Sequence, residues 1–383
     1  MITLYLFSCV PAAIWLFLYF NNRRIHIWEA IGSLFISLIL AGITHYFSFK
    51  NQTGDTETWS GQVQSVRMFS AWTEKYEEAV YKTEYYYTGT GKNRTRHSKR
   101  VFSHYEWRTD YHPRRNVVYS NIGEYSVTDG KYKEIILEFG GEKSVNGVRA
   151  TSKRRSHMIS GDKNDYISVN SNKPVIPVTK QVSFVNRLRA GSVWDKKQPS
   201  SKLNIPGRPE NSNPFRSDRL LGTAKNHFSI RKLDELNAVL GPDKKVDINI
   251  VGFNTGNSQF GQYTESKWLG GNKNTLTICY GMDKSFSGTE KENKPSWVYC
   301  FGWSESDICK RNIESLLLTG GVGDAILPEL EREIRKNYQK PDWHRFDYIQ
   351  IEPGGWAWLW FIVSLLVCQG LYAWWCLVNH HHK

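Results

Sequence analysis

The sequence predicts an α+β protein anchored in a membrane, with an antiparallel β domain, a small αβα domain and three transmembrane helices. Three observations predict this class. Long uncharged runs stand near both ends of the chain, residues after about 55 alternate in the manner of β-strands, and helical and strand patterns interleave after 227. The chain has 383 residues and a net charge of +13. This length fits about two globular units beside the membrane segments.

The three apolar runs have the length of membrane spans. Residues 2–20 carry no charge, residues 27–47 are apolar apart from Glu29 and His45, and residues 355–378 are uncharged with tryptophans at both ends. Each reaches the roughly 20 residues that a helix needs to cross a bilayer. A buried core helix is the alternative for each run, and a signal peptide is a further alternative for the first. The first run lacks a basic start and a second apolar run follows at once, so we expect two transmembrane helices within 1–50 and a third at 355–378.

The orientation of these helices depends on the short loop between the first two. Arg23 and Arg24 are its only basic residues, and short basic loops stay in the cytoplasm. The sequence therefore predicts a multi-pass inner-membrane protein of a bacterial or phage-infected cell. Its N-terminus and large middle domain lie in the periplasm, and its C-terminus lies in the cytoplasm.

Residues 51–190 are rich in β signals. Segments such as TWSGQVQSV, AVYKTEYYYTG, HYEWRTDYH and KYKEIILEFGG cluster aromatic and β-branched residues between turn residues. We expect an antiparallel sandwich or open barrel of six to eight strands, with the aromatic side chains mainly in its core. Residues 191–226 are rich in Pro, Ser, Asn and Gly and lack periodicity, which predicts a linker or an extended arm.

Residues 227–345 change to a mixed pattern. FSIRKLDELNAVLG has apolar residues at helical spacing, KVDINIVGF alternates as a strand, and SQFGQYTESKWL again favours a helix. TLTICYGM and SWVYCFGW follow as strands, and two helical segments complete the order α, β, α, β, β, α, α. This order predicts a two-layer or three-layer α/β domain.

Cysteines leave one question open in this domain. Cys279 and Cys300 end two strands that a hairpin joins, so they could face each other. A disulfide and a pair of buried thiols are both compatible with the sequence.

The pattern of a strand, a helix ending in Trp-x-Gly-Gly and a second apolar strand resembles the TPM-domain family over about residues 227–345. Matching positions are Trp268, Gly270, Asn272, Asn274, Asp283 and Gly302. The resemblance implies a small αβα fold, usually exported and often tethered by a membrane helix. Some members of that family are described as acid phosphatases, and others have no established activity. The chain as a whole also resembles uncharacterised membrane proteins of large phages.

Acidic residues suggest one candidate site. Asp283 follows a strand, Asp307 begins a helix and Asp324 follows a pair of glycines, so the three could converge at one edge of the sheet. Carboxylates grouped in this way would bind Ca²⁺ or Mg²⁺, which could assist a phosphatase. The alternative is that Asp307 and Asp324 are helix caps or first-turn acids.

The glycine-rich turn at 270–274 is a second candidate. Its backbone N–H groups and Lys273 could hold an anion, whereas a plain corner between a helix and a strand is the alternative.

Basic residues interleaved with aromatic ones form the third candidate. Tyrosines and Trp107 surround a basic group that could contact an anion, nucleic acid or lipid: Lys92, Arg94, Arg96, Lys99, Arg100, Arg114 and Arg115. Such a mixture suits single-stranded nucleic acid or an anionic membrane surface. A polar hairpin tip beside core aromatics is the alternative.

These features favour a membrane-anchored, non-enzymatic binding or assembly protein with a large periplasmic domain, encoded by a phage and acting at the host envelope. We expect the lipid bilayer and a protein in the membrane or periplasm as partners, with nucleic acid a less favoured one. A metal-assisted phosphatase that uses the acidic group is the alternative function. The sequence contains no GxSxG, HExxH or P-loop motif.

Overall fold

The computed structural model describes residues 2–21, 26–89, 91, 94–147, 149–170, 174–190, 204–283 and 294–381. These residues form a mixed α+β fold with antiparallel sheets. Its helices are α1 Ile2–Ser8, α2 Val10–Asn21, α3 Ile27–Thr53, α4 Asp129–Phe139, α5 Ile230–Lys244, α6 Gln259–Trp268, α7 Asp307–Gly320, α8 Leu327–Asn337 and α9 Gly355–His381. Its strands are β1 Gly54–Phe69, β2 Trp72–Thr88, β3 Thr95–His112, β4 Arg115–Ser120, β5 Gly123–Val127, β6 Lys143–Asn146, β7 Ser156–Gly161, β8 Asn164–Val169, β9 Pro177–Val185, β10 Leu220–Gly222, β11 Asp247–Phe253, β12 Thr275–Gly281 and β13 Trp297–Phe301.

Three helical segments of the described residues are long and apolar enough to cross a membrane: Thr3–Asn21, Ile27–Thr53 and Gly355–Val378. They pack against one another through a small cluster of Leu4, Ala41 and Phe361. Ser33 Oγ also donates to Gln369 Oε1 at 2.8 Å, which joins α3 to α9. The helix α3 ends at Thr53 and β1 begins at Gly54, so no linker separates the two.

A six-stranded antiparallel sheet is built around β1. The strand order is β5-β4-β1-β8-β6, and β9 pairs with the first half of β1. One face of this sheet is apolar and packs against α4, where Tyr132 and Ile135 meet Val66 and Val118. A helix, and not a second sheet, therefore covers this core, so the expectation of a sandwich or open barrel is wrong.

The helix α4 corrects the sequence prediction directly. KYKEIILEFGG was predicted to be a strand, but it lies within α4 and the turn that follows. Tyr132, Ile135, Ile136 and Phe139 are spaced by three and four residues, which places them on one side of a helix. The side chain of Thr128 accepts a hydrogen bond from the Lys131 N–H at the start, and the left-handed Gly140 ends the helix.

The predicted order of elements after residue 227 is confirmed. Strands β10, β11 and β12 run parallel, and β13 pairs antiparallel with β12. One face of this four-stranded sheet packs against α5, α7 and α8, and the other packs against α6. The arrangement is three-layered.

The predicted linker at 191–226 is wrong in its last part. Residues 191–203 lie outside the described residues, but Leu220–Gly222 forms β10 and pairs with β11. Arg219, just before this strand, is fully buried. The segment is therefore part of the α/β sheet.

The two strand cysteines are free and buried. Cys279 packs with Trp268 and Phe253 on the α6 face of the sheet, whereas Cys300 packs with Ile278 on the opposite face. A disulfide between them is therefore excluded by geometry, and the alternative of two buried thiols is confirmed. Burial raises the pKa of the Cys300 thiol well above its ordinary value.

Candidate binding ribbon

The longest strands of the protein form a hairpin that other strands border only at its root. β2 and β3 pair from Trp72 and His112 to Thr88 and Thr95. β7 pairs with β2 only as far as Tyr76, and beyond that point no other strand of the described residues pairs with either edge. We call residues 77–88 and 95–107 the ribbon. At about 3.3 Å per residue, its 12-residue strand is about 40 Å long.

Six aromatic rings lie on one face of the ribbon, because side chains alternate along a strand and cross-strand partners share a face. A register shift beside Tyr81 keeps the two halves of the row on the same face. We call this surface the ladder face; its rings are Tyr81, Tyr85, Tyr87, Phe102, Tyr105 and Trp107. Each of these side chains is between 45% and 56% exposed, so all six are accessible to a partner.

Three arginines stack on the tyrosines of the ladder face. The guanidinium of Arg96 lies 3.7 Å from the ring centre of Tyr85. Arg94 lies 4.9 Å from the ring of Tyr87, and Arg100 lies 5.3 Å from the ring of Tyr81. None of the three makes an ion pair within the described part of the chain. Stacking orients a guanidinium while leaving its N–H groups available to an anion.

The opposite face of the ribbon has a different character. Lys82 pairs with Glu84 at 2.8 Å, and the ring of Tyr86 stacks on that of His97. Lys99 is opposite Glu84 in the strand register. Positive charge is therefore partly balanced along this face. On the ladder face the carboxylate of the ribbon is Glu77, which lies opposite Trp107 at the root and pairs with Arg155, so the arginines nearer the tip have no acidic neighbour on that face.

The structure places six of the seven predicted basic residues, in three groups. Arg94, Arg96 and Arg100 share the ladder face, Lys99 lies on the opposite face, and Lys92 lies outside the described residues. The remaining two lie beyond the root: Arg114 pairs with Asp129 at 3.3 Å, and the guanidinium of Arg115 lies 4.6 Å from the ring of Phe69.

The ribbon also overturns the expectation that the aromatic residues of this region mainly fill a core. The rings of the ladder face are half exposed. Strand length could have indicated this, because β2 and β3 have 17 and 18 residues, whereas strands in globular cores are typically about 5–6 residues long. The common parity of Tyr81, Tyr85 and Tyr87 was a second available signal.

A buried carboxylate fixes the root of the hairpin. Glu74 is fully buried and accepts hydrogen bonds from the Ser152 N–H at 2.9 Å and from its hydroxyl, and it lies 3.1 Å from His112 Nε2. Burial alone would raise the pKa of Glu74, but hydrogen bonds from neighbouring serines and His112 outweigh it and lower the pKa to about 2. Glu74 therefore stays ionised, and its hydrogen bonds join β2 to His112 of β3 and to the segment around Ser152.

The acidic residues predicted as a metal site lie apart. Asp283 follows β12, and Asp307 follows β13. Because these two strands are antiparallel, the two residues lie at opposite ends of the strands. Asp307 is in the first turn of α7 and pairs with Lys310. Asp324 accepts a hydrogen bond from the Ser229 N–H at 2.7 Å, at the start of α5. Across the described residues, no group of three or more acidic, His or Cys side chains is arranged to hold a metal ion.

The glycine-rich turn at 270–274 is a structural corner. Leu269, Gly270 and Gly271 all adopt positive φ angles, which turn the chain from α6 into β12. The side-chain amide of Asn274 donates to the carbonyl of Thr58 at 2.7 Å, so the turn also docks on β1. Lys273 lies near the ring of Phe184. The turn therefore forms a corner between a helix and a strand, and the binding of an anion there stays a prediction.

No family model, curated protein or solved structure matches the chain. The resemblance to the TPM-domain family stays a prediction.

Proposed function

We propose that this chain is a membrane-anchored binding protein that holds an anionic chain molecule on its ladder face and catalyses no reaction. Three helices with the length and composition of membrane spans support the anchoring. Arg23 and Arg24, in the short loop between the first two apolar helices, favour a cytoplasmic loop. The proposal therefore has the large domain in the periplasm and the C-terminus in the cytoplasm. A TPM-like α/β domain would then be the exported base from which the ribbon projects.

The observation that carries the proposal is the ladder face itself. Half-exposed rings alternate with arginines that have no acidic partner in the described residues. Aromatic platforms combined with positive charge bind single-stranded nucleic acid, because rings stack on bases while guanidinium groups meet phosphates. An anionic chain with flat rings is therefore the partner class that this surface fits best, and single-stranded DNA is its simplest probe.

The metal-assisted phosphatase has no comparable support. Its proposed residues Asp283 and Asp307 lie at opposite ends of two paired strands. No specific observation favours this function over binding.

A pair of matched variants tests the binding surface. In full-length protein in detergent micelles, the double variant R96Q/R100Q removes two charges from the ladder face, and K82Q/K99Q removes two charges from the opposite face of the same ribbon. With a fluorescent 20-nucleotide oligo(dT), we expect R96Q/R100Q to weaken binding about tenfold or more, since each phosphate contact and its stacked ring act together. K82Q/K99Q should weaken binding far less.

Anisotropy titrations at several salt concentrations measure both variants. Equal losses in the two double variants would show that binding follows net charge and not the ladder face. Failure of the wild-type protein to bind oligo(dT) at low salt would overturn the partner class.

A separate experiment tests the orientation. A green fluorescent protein fused after residue 383 should fold and fluoresce, because the proposal places the C-terminus in the cytoplasm. A dark fusion, together with an active alkaline phosphatase fused at the same point, would reverse the topology.

A further inference from the structure

A cavity of about 930 Å³ lies at the joint between the six-stranded sheet and the root of the β2–β3 hairpin. We call it the arginine cavity. It is distinct from the ladder face, because its aromatic wall, Trp72 stacked on His112, belongs to the opposite face of the hairpin. The cavity is lined mainly by Arg67, Phe69, Arg115, Arg149, Asp165 and Ile167.

Strand register brings these side chains together. Phe69 of β1 is opposite Arg115 of β4, and Arg67 is opposite Ile167 of β8. These residues alternate with Val66 and Met68, which face α4, so the cavity occupies the other face of the sheet. The guanidinium groups of Arg67 and Arg115 lie 4.7 and 4.6 Å from the ring of Phe69.

A single carboxylate orients two of the arginines. Asp165 accepts hydrogen bonds from Arg67 at 2.9 Å and from Arg149 at 2.7 Å, and its side chain is 2% exposed. Burial would raise the pKa of Asp165, but hydrogen bonds from Arg149, the Ser70 N–H and Arg67 outweigh it and lower the pKa. Asp165 is thus a fixed anion that holds both guanidinium groups in place.

Positive charge remains in excess within the arginine cavity. Arg115 has no ion-pair partner among the described residues, and Arg67 Nε is buried without a hydrogen-bond acceptor. Among the residues that line the cavity, three guanidinium groups therefore face one carboxylate, a surplus of two positive charges. The carboxylates of Glu74 and Asp162 lie behind this lining, against His112 and Ser70. Nε and one terminal nitrogen of Arg149 donate to the backbone carbonyl of Asp162. The N–H groups that could meet phosphate oxygens therefore belong mainly to Arg67 and Arg115.

We propose that the arginine cavity binds a small organic phosphate. The surplus charge matches a phosphate dianion, and the cavity volume falls in the range of small-molecule sites, about 300–1,000 Å³. Such a volume is larger than a phosphate ion needs, and Trp72 and His112 provide an aromatic wall for the organic part. Because the ligand would touch both the sheet and the hairpin root, its binding would fix the ribbon relative to the sheet.

The experiment is calorimetry on the full-length protein in detergent at pH 8, where phenyl phosphate is a dianion. Phenyl phosphate is the probe, benzoate replaces the phosphate with one carboxylate, and phenol carries no charge. We expect phenyl phosphate to bind at least about tenfold more tightly than benzoate, and phenol to give no heat, since charge-assisted guanidinium bonds to the phosphate carry the affinity.

Arg115→Gln and its neighbour Arg114→Gln form the matched pair of variants. Arg115 makes no ion pair in the described part, so its loss should leave the fold intact and weaken phenyl phosphate binding at least about tenfold. Arg114 pairs with Asp129 away from the cavity, so Arg114→Gln should bind as the wild type does.

Three outcomes would overturn the proposal: no heat with phenyl phosphate at millimolar concentration, equal affinity for benzoate, or wild-type affinity in Arg115→Gln. The R96Q/R100Q variant of the ladder face should keep its phenyl phosphate affinity. The proposed function can therefore fail while this site stands, and the reverse also holds.

Discussion

Arg219 provides the sharpest test of how the β1 sheet is joined to the α/β sheet. Its side chain is fully buried. Its Nε donates to Asp247 at 2.8 Å, and its two terminal nitrogens donate to Asp234 at 2.6 Å and to the hydroxyl of Ser60 at 2.7 Å. One guanidinium therefore joins β1, β11 and α5.

Replacing Arg219 with Met should cost about 3–5 kcal/mol of unfolding free energy, the usual loss when one partner of a buried ion pair is removed. The variant leaves two carboxylates without their arginine partner. These are Asp247, whose side chain is 3% exposed, and Asp234, whose side chain is 13% exposed. Adding Asp234→Asn and Asp247→Asn should recover part of the loss, because it removes the uncompensated charges.

Pulse proteolysis of full-length protein in urea measures this loss in the soluble part of the chain. The control is Arg231→Met, on the neighbouring helix α5. Arg231 is 58% exposed and pairs with Glu235, so its removal should cost at most about 1 kcal/mol. A loss in Arg219→Met below about 1 kcal/mol, or equal to that in Arg231→Met, would refute the reasoning, since a buried charge network cannot be so cheap to break.

Three further predictions concern other parts of the molecule. Gly241→Ala would place a Cβ 2.3 Å from the carbonyl oxygen of Ser60 and should cost about 1–3 kcal/mol in the same proteolysis assay. Gly130 is the second residue of α4, and a Cβ there would meet nothing within 4 Å, so Gly130→Ala should stabilise by at most about 0.5–1 kcal/mol. Equal effects of the two variants would contradict the close approach at Gly241. Because the pKa of Glu74 is lowered from 4.5 to about 2, its contribution to stability is complete above pH 4.5 and is lost as pH falls towards 2. Glu74→Gln should remove this part of the acid transition in tryptophan fluorescence, and an unchanged transition would count against it. On the proposed anchoring, Gln369→Leu removes hydrogen bonds between α9 and α3 and should lower the free energy of unfolding by about 0.6–2 kcal/mol in mixed micelles. An unchanged free energy would mean that this contact does not stabilise the helix pair.

Much of the fold follows from local patterns. The uncharged runs predict the three apolar helices, and alternation predicts β11 and β12, because these signals lie within single segments. The helix α4 was missed because its two adjacent isoleucines and its aromatic residues also favour a strand, and strand signals surround it. Its spacing of three and four residues was the stronger signal.

The sites were harder to predict because they depend on which strands pair. The parity of Tyr81, Tyr85 and Tyr87 and the length of their strand were available signals. They place the tyrosines on one face but do not decide whether a sheet or solvent covers that face, which the structure shows. Arg67 and Asp165 lie 98 residues apart, and they meet Arg115 through the register of β1, β4 and β8. Arg149 reaches the same place from the segment that follows β6. The predicted acidic residues lie apart for a related reason, since β13 runs antiparallel to β12 and carries Asp307 to the opposite end of these strands from Asp283.

The direct passage from α3 into β1 has a mechanical consequence. The apolar helix ends at Thr53, β1 continues from Gly54 to Phe69, and β2 begins at Trp72. A pull on the β2 strand of the ribbon therefore reaches the anchor along one covalent backbone, and no sheet hydrogen bond has to break to transmit it. The α/β sheet docks beside this line of force and not within it. Under the proposed anchoring, the molecule is a tether in which tension passes along β1, the central strand of the six-stranded sheet, and bypasses the α/β sheet.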